Sequence, residues 1–126
     1  MKSRAIEKFI RVSQTKVLRY SREVPPGMLV NDAINKLTFV NTKGAKVLKK
    51  ALESAKANMI SMATTHNIDV DDTTFTVEKI SVLKAPTYRR LRRRGRGHAD
   101  VISKRNSHIY VEISDERVKK DQARGN

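Results

Sequence analysis

An arginine-rich segment between two aliphatic segments constrains the fold of this chain more than any other feature. Residues 87–108, TYRRLRRRGRGHADVISKRNSH, contain seven arginines and one lysine against one acid, Asp100. A segment of this charge repels itself and has no place in an apolar core. On either side lie TTFTVEKISVLKAP and SHIYVEIS, which are rich in the β-branched residues typical of strands. The pattern predicts two paired strands whose far ends leave the domain as a charged arm.

The triplet GRG, Gly95 to Gly97, predicts where this arm reverses, because glycine adopts the positive φ that a hairpin turn needs. Folding the chain about the middle of the triplet pairs Val82 with Tyr110 and Ile80 with Glu112. These pairs would form the apolar base of a long two-stranded ribbon. The alternation of apolar residues changes phase just before this base, which predicts either a β-bulge near Glu78 or a strand that is contacted on both faces.

The ribbon, about residues 84–108, has almost no apolar face to bury. Each arm would project about 35 Å at about 3.3 Å per residue. A two-stranded hairpin of like charge is marginal in water, so we expect mobility in the free protein and order in a polyanionic groove. Two plainer interpretations stay open at this point: a disordered loop, or a surface hairpin that aids solubility.

The rest of the chain predicts one strand and three helices. A short strand occupies about residues 2–12, and Ser13 is a good N-cap for a helix that PPG ends near residues 23–24. A second amphipathic helix spans about residues 29–40. The third is the longest, with a cap at Asn41 or Thr42 and an apolar stripe at Leu48, Ala51, Leu52, Ala55, Met59 and Met62. We therefore expect an α+β fold, with a small antiparallel sheet of about three strands, three helices and a protruding hairpin, in one domain over 1–126 with a short basic tail at 116–126.

The charge balance points to a polyanionic partner. The chain has 27 basic and 13 acidic residues, a net charge of +14, and a pI near 10.5, which favours nucleic acid or an acidic membrane surface. No stretch approaches the roughly 18 apolar residues of a membrane span, and the first residues lack the apolar core of a signal peptide. We therefore expect a protein that works inside a cell or organelle.

Catalytic and metal chemistry find little support in the sequence. The absence of cysteine excludes disulfides, thiolate zinc sites and cysteine nucleophiles. His98, Asp100 and Ser103 are close in sequence, but a strand would place Ser103 on the opposite face from the other two. The remaining histidines are dispersed, and an acidic turn at residues 69–72 lacks the glycine and distal glutamate of a calcium loop. We expect no enzyme, no cofactor and no metal.

The basic side chains suit structured RNA. Lysines line the exposed face of the third helix, a pattern for which a solvated face is the usual explanation, but the same sign of charge recurs on other elements. Arginines, which bind phosphate with two donors, fill the ribbon. Tyrosines are few and scattered and tryptophan is absent, so reading of unpaired bases by stacking is a poor fit. Phosphate and shape contacts fit better.

The order of several motifs resembles a known family. VNDAINKLTFVNTKGAKVLKKALESAKAN, then a strand, then APTYRRLRRRGRGHADVISKRNSHIYVEIS is similar to the bacterial form of the L-twenty-two family of large-subunit ribosomal proteins. The similarity runs from about Arg11 to Asp115. It implies an α+β domain that binds several domains of large-subunit rRNA near the mouth of the peptide exit tunnel and acts early in subunit assembly. It also implies a hairpin that lines the tunnel wall, with contacts to the nascent polypeptide and to neighbouring ribosomal proteins.

Charge and resemblance together give the candidate rRNA-binding residues. The resemblance assigns the tunnel-lining tip to Arg92–His98 and matches Ser13 and Lys16 to family residues at the start of the first helix. Two features depart from the family pattern: Arg93 stands where many members have a proline, and the PPG turn is longer than usual. The candidate contacts are Arg11, Ser13, Lys16, Arg19, Lys43, Lys46, Lys49, Lys50, Lys84, Arg89, Arg90, Arg92, Arg93, Arg94, Arg96, Lys104, Arg105, Ser107 and His108.

Two other function classes compete with rRNA binding. An architectural DNA-binding protein could use a β-ribbon arm to bend a duplex, but such arms commonly carry an apolar wedge or proline at the tip, and RRRGRG has neither. A membrane-surface module would need a helix with a bulky apolar face, whereas the long helix is lined with alanine and methionine.

Overall fold

The computed structural model describes residues 1–115, and the predicted tail at 116–126 lies outside them. Within this range the fold is α+β, as predicted, with an antiparallel three-stranded sheet in the order β1-β3-β2 and three helices. The prediction of one domain over 1–126 stays a prediction. The elements are β1 (Lys2–Ile10), α1 (Gln14–Ser21), α2 (Val30–Thr38), α3 (Lys43–Thr65), β2 (Phe75–Arg93) and β3 (Ala99–Asp115).

The helix starts follow the capping signals, with one difference. Ser13 is the N-cap of α1, but its hydroxyl accepts no capping hydrogen bond, and the amides of Lys16 and Val17 donate to its carbonyl instead. The cap of α3 is Thr42, whose hydroxyl accepts from the amide of Ala45 at 3.4 Å. Both α1 and α2 end about two residues before the predicted limits, a difference that is ordinary at helix ends, which fray.

The core lies between the helices and one face of the sheet. The predicted stripe of α3 is fully buried from Leu48 to Met59, but Met62 is 40% exposed and the buried position of that turn belongs to Ala63. The prediction for Met62 is therefore wrong, because Met62 borders an open cavity beside Lys2, Arg4 and Glu112 instead of entering the core. From the sheet, Phe75, Val77, Ile109, Val111 and Ile113 complete the core.

The two long strands β2 and β3 each divide into two parts. Their inner halves, 75–85 and 106–115, pack on the helices, whereas their outer halves, 88–93 and 99–104, project from the domain. Every residue of the outer halves is exposed except Ile102, which is half-buried. The structure thus has the protruding hairpin that the sequence predicts.

Two bulges in β2 set the register of this hairpin. The predicted bulge near Glu78 is present, between Val77 and Lys79. A second bulge between Ala85 and Tyr88 was not predicted; it contains Pro86, which has no amide hydrogen to donate to the ladder. It shifts the pairing by one residue.

The second bulge corrects the predicted base of the ribbon. Val82 pairs with Ile109 and Ile80 pairs with Val111, so the predicted partners Tyr110 and Glu112 are wrong by one position. Beyond the bulge, the predicted register about residue 96 is confirmed up to the last pair of the ladder.

The reversal at the tip differs from prediction in one detail. The amide of Arg94 donates to the carbonyl of His98 at 2.8 Å, which closes the loop. Positive φ occurs at Arg96 (60°) and Gly97 (74°) but not at Gly95. A non-glycine residue in this region costs about 1–2 kcal/mol, so Arg96 holds a conformation that its side chain disfavours.

Candidate nucleic-acid interface

A basic cleft of about 1280 Å³ lies where α1, the start of α3 and the base of the ribbon meet. Seven of its fifteen lining residues are lysine or arginine and none is acidic. Cations so placed repel one another unless an anion lies between them. The lining residues are Arg11, Val12, Ser13, Lys16, Arg19, Tyr20, Thr42, Lys43, Gly44, Tyr88, Arg90, Ser103, Lys104, Arg105 and Asn106.

The cleft gathers candidate residues that are far apart in the sequence. Arg11 and Ser13 come from the β1–α1 connection, Lys16 and Arg19 from α1, and Lys43 from the first turn of α3. The two strands of the ribbon base contribute the candidates Arg90, Lys104 and Arg105. Eight of the residues predicted from the sequence therefore line one cavity.

Gly44 sets the close approach of α3 to α1 at the side of this cleft. A Cβ at this position would lie 3.1 Å from the carbonyl oxygen of Lys16 and 3.2 Å from the ring of Tyr20. Such distances are tighter than ordinary contacts, so a side chain here would push the two helices apart. Sequence reasoning missed this role; the available signal was a glycine in the first turn of an amphipathic helix.

Two tyrosines also line the cleft, and the sequence did not predict this. Tyr20 is partly buried beside Gly44, whereas Tyr88 is 50% exposed on the ribbon. The guanidinium of Arg90 lies 5.8 Å from the centre of the Tyr88 ring, within cation–π range. No local sequence signal connects Tyr20 with Tyr88, because only the tertiary fold brings them together.

The outer halves of β2 and β3, together with the turn that joins them, form a second basic surface that begins at the cleft. Its arginines are all exposed. One of them, Arg94, forms an ion pair with Asp100, the single acid of the ribbon. The arginines beyond the cleft are Arg89, Arg92, Arg93, Arg94 and Arg96.

The lysines of α3 divide into exposed and paired side chains. Lys46 and Lys50 are exposed, and Lys49 lies 3.7 Å from Glu53 one turn along the helix. Nζ of Lys56 lies 2.8 Å from Oδ2 of Asp72, which is an ion pair. The hydrogen bond and the positive charge of Lys56 lower the pKa of the Asp72 carboxyl below its ordinary value. Lys56 is therefore engaged within the chain.

Three candidate residues near the ribbon base have different positions. Lys84 is exposed on the surface. Ser107 is 0% exposed, so its side chain has no surface to offer and the predicted direct rRNA contact is not supported. His108 is half-buried; its Nδ1 accepts a hydrogen bond from the amide of Phe9 at 3.0 Å, and the two rings meet edge to face at 4.8 Å. His108 thus fastens β1 to the base of the ribbon.

Residues 1–115 can be searched for metal sites, for catalytic pairs and for membrane-spanning helices. No group of three or more His, Cys, Asp or Glu residues in this range could hold a metal ion. The Asp100 carboxylate, two residues from His98, accepts a hydrogen bond from Nε of Arg94. Over the same residues, no helix is long and apolar enough to cross a membrane.

Comparison with known proteins adds a family to this geometry. A family model described as "Ribosomal protein L22p/L17e" matches residues 5–114. The chain belongs to this family. The match runs from β1 to the end of β3, so that it includes the basic cleft and the whole ribbon.

Curated relatives agree with this family. The "Large ribosomal subunit protein uL22" of Fusobacterium nucleatum subsp. nucleatum is 37% identical over 117 residues, which are 93% of this chain and 100% of the relative. The protein of the same name from Maridesulfovibrio salexigens is 39% identical over 115 residues, 91% of this chain and 99% of the relative. That from Desulforamulus reducens is 37% identical over 117 residues, 93% of this chain and 98% of the relative.

Proposed function

We propose that this chain is a structural, non-enzymatic constituent of the large ribosomal subunit that binds its rRNA through the basic cleft and the ribbon. The observation that carries the proposal is the acid-free cleft with seven cations that continues into the exposed arginines of the ribbon. The family and the names of the relatives indicate which polyanion is bound.

The shape of the ribbon supports insertion between RNA helices. Its outer halves extend about 20 Å beyond the second bulge, at about 3.3 Å per residue, and the two strands are only about 5 Å apart. Phosphates on both sides would neutralise arginines that repel one another in the free protein. Bound RNA would therefore stabilise the ribbon by removing the repulsion between its arginines.

The finer role follows from the family resemblance. We infer that the tip, Arg92–His98, lines the nascent-peptide exit tunnel and meets the growing polypeptide. The globular part then binds several rRNA domains beside neighbouring ribosomal proteins and supports early subunit assembly. The protein acts in the ribosome, which in bacteria is cytoplasmic.

Co-sedimentation tests the main proposal. Tagged protein expressed in its host should pellet with large subunits in moderate salt and should leave them only at high salt, because the contacts are electrostatic. Recovery of the protein solely in the ribosome-free fraction would contradict the proposal.

A triple variant tests the ribbon. Replacing Arg92, Arg93 and Arg94 by alanine should reduce the slope of log affinity for large-subunit rRNA against log salt by about two units, at about 0.7–0.9 unit per lost phosphate contact. We expect two units, not three, because Arg94 is held by Asp100. A matched control removes three cations outside the cleft and ribbon, Lys8, Lys36 and Lys79. An unchanged slope in the ribbon variant would place its arginines away from phosphate.

The DNA-bending alternative is separated by competition. Gly95, Arg96 and Gly97 at the reversal provide no apolar wedge for a base step. Folded rRNA should therefore displace the protein from duplex DNA at physiological salt. Equal affinity for the two nucleic acids would favour the architectural DNA-binding role.

A further inference from the structure

The basic cleft is a concavity, and this bears on the kind of RNA that can enter it. It is bounded by α1, by the first turn of α3 and by both strands of the ribbon base, and cations approach it from each of these elements. An A-form helix presents its phosphates on a convex surface and keeps its bases stacked inside. Such a helix can lie across the mouth of the cleft, whereas an unpaired strand can enter it.

The charge inside the cleft favours a strand that turns sharply. A tight turn brings successive phosphates of one strand close together, and their repulsion opposes the turn. Lys16 and Arg19 on one wall, Lys43 on the next and Lys104 and Arg105 on the third would each neutralise part of that charge. No carboxylate among the lining residues opposes them.

Tyr88 gives the cleft a surface for a base. Tyr88 is 50% exposed, and the guanidinium carbon of Arg90 lies over one face of its ring, 5.8 Å from the centroid. Bases stack on exposed tyrosine and on guanidinium planes alike. Tyr20, in contrast, is packed beside Gly44 and helps to form the wall. An exposed tyrosine among several cations suits an extruded nucleotide, whose base can stack while its phosphates are neutralised.

We propose that the basic cleft binds an unpaired, looped-out RNA segment, with phosphates on its lysines and arginines and one base stacked on Tyr88. The ribbon, by contrast, binds folded RNA through phosphate contacts alone. This inference rests on the proposed function and deepens it, since it names the RNA feature that the globular part recognises.

The test compares two RNAs with the full-length protein. One probe is a fully paired RNA hairpin, and the other is the same hairpin interrupted by an unpaired bulge, both labelled for fluorescence anisotropy. The wild-type protein should bind the bulged probe more tightly. The Tyr88→Ser variant should lose about five- to 150-fold in affinity for the bulged probe, the range for removal of base–aromatic stacking, and keep its affinity for the paired one.

Two variants control for folding and for general surface effects. Tyr88→Phe keeps the ring and should retain wild-type preference for the bulged probe. Phe39→Ser alters an 88% exposed aromatic side chain that lies outside both the cleft and the ribbon, and should change neither affinity. The far-ultraviolet circular dichroism of all variants should match, because neither Tyr88 nor Phe39 is in the core.

Equal affinity of the wild type for both probes, or an equal loss for both on Tyr88→Ser, would overturn the inference and leave rRNA binding intact. If the wild-type protein bound neither probe and did not bind large-subunit rRNA, the proposed function would instead be refuted. The two failures are therefore distinguishable in one titration series.

Discussion

The inner and outer halves of β2 and β3 are the same two strands in two different environments. In the inner halves, Phe75, Val77, Ile109, Val111 and Ile113 are almost fully buried against the helices. In the outer halves, the same antiparallel ladder continues without any helix to cover it. A strand pair is thus continuous in hydrogen bonding although its source of stability changes at the second bulge.

The inner halves of β2 and β3 stabilise the fold, whereas the outer halves carry the charge that we propose for rRNA binding. Burial of apolar side chains stabilises the inner halves by about 1.5–3 kcal/mol for each fully buried residue. The outer halves expose the apolar cross-strand pair Leu91 and Val101 and repel themselves through their arginines. The proposed rRNA contact would neutralise these arginines.

Charge pairing follows the same division. The globular part pairs Lys2 with Glu78 and Lys56 with Asp72. The outer ribbon has one acid for its arginines, Asp100. The net charge of the chain is therefore concentrated where the core ends.

Hydrogen exchange should show the largest contrast between the two halves. Amides of the inner halves should be protected about a thousand-fold or more relative to those of the outer halves, because inner amides exchange only on near-global unfolding. Addition of large-subunit rRNA should slow exchange in the outer halves. Equal protection of both halves in the free protein would show that the ribbon is rigid without a partner.

Two valines on β3 measure the same contrast as stability. Val111→Ala, at a fully buried site, should lower the free energy of unfolding by about 2–3 kcal/mol through lost burial and a cavity. Val101→Ala, at a site that is 59% exposed, should change it by less than about 0.5 kcal/mol. Urea denaturation gives both values. Similar losses would mean that the outer ribbon has a core of its own.

Ser107 lies in the inner half of β3, next to the second bulge. A substitution there should raise the stability of the fold, whereas Val111→Ala lowers it. The buried hydroxyl of Ser107 has no hydrogen-bond partner in the described chain. Ser107→Ala should therefore stabilise the protein by about 1 kcal/mol, since it removes an unsatisfied polar group. Affinity for rRNA should stay unchanged. A clear loss of affinity with intact stability would instead support the direct contact that the sequence predicts.

The smallest expected effect concerns the paired charges of the globular part. Because Lys56 lowers the pKa of Asp72, the pair stabilises the fold above the ordinary value of 3.8, and this contribution disappears as pH falls through the lowered pKa. Lys56→Gln should return the pKa of Asp72 toward 3.8 in an NMR titration. Lys49→Gln is the matched control and should leave it unchanged, as Lys49 pairs with Glu53.

Local sequence signals predicted the elements of the fold well. The periodic stripe of α3, the cap at Thr42, the bulge at Glu78 and the reversal about residue 96 all depend on residues within a few positions of one another. The charge of the ribbon is likewise a property of one continuous segment. Such features follow from backbone preference and hydrophobic periodicity, which a single sequence displays.

Contacts between distant segments were beyond those signals. The pairing at the ribbon base missed by one residue, because one unpredicted bulge at Pro86 shifts every pair on its inner side. The burial of Ser107 depends on how the strands and helices pack around it. The close approach of α3 to α1 at Gly44 likewise depends on residues far away in the chain.

The sequence by itself determined that this protein has a charged arm, three strands and three helices, and its net charge of +14 favoured an anionic partner. Only the tertiary structure decided that Tyr88 and cations from α1, α3, β2 and β3 line one cleft. The physical reason is that charge and periodicity are written along the chain, whereas a binding site is a meeting of surfaces whose positions depend on packing and register.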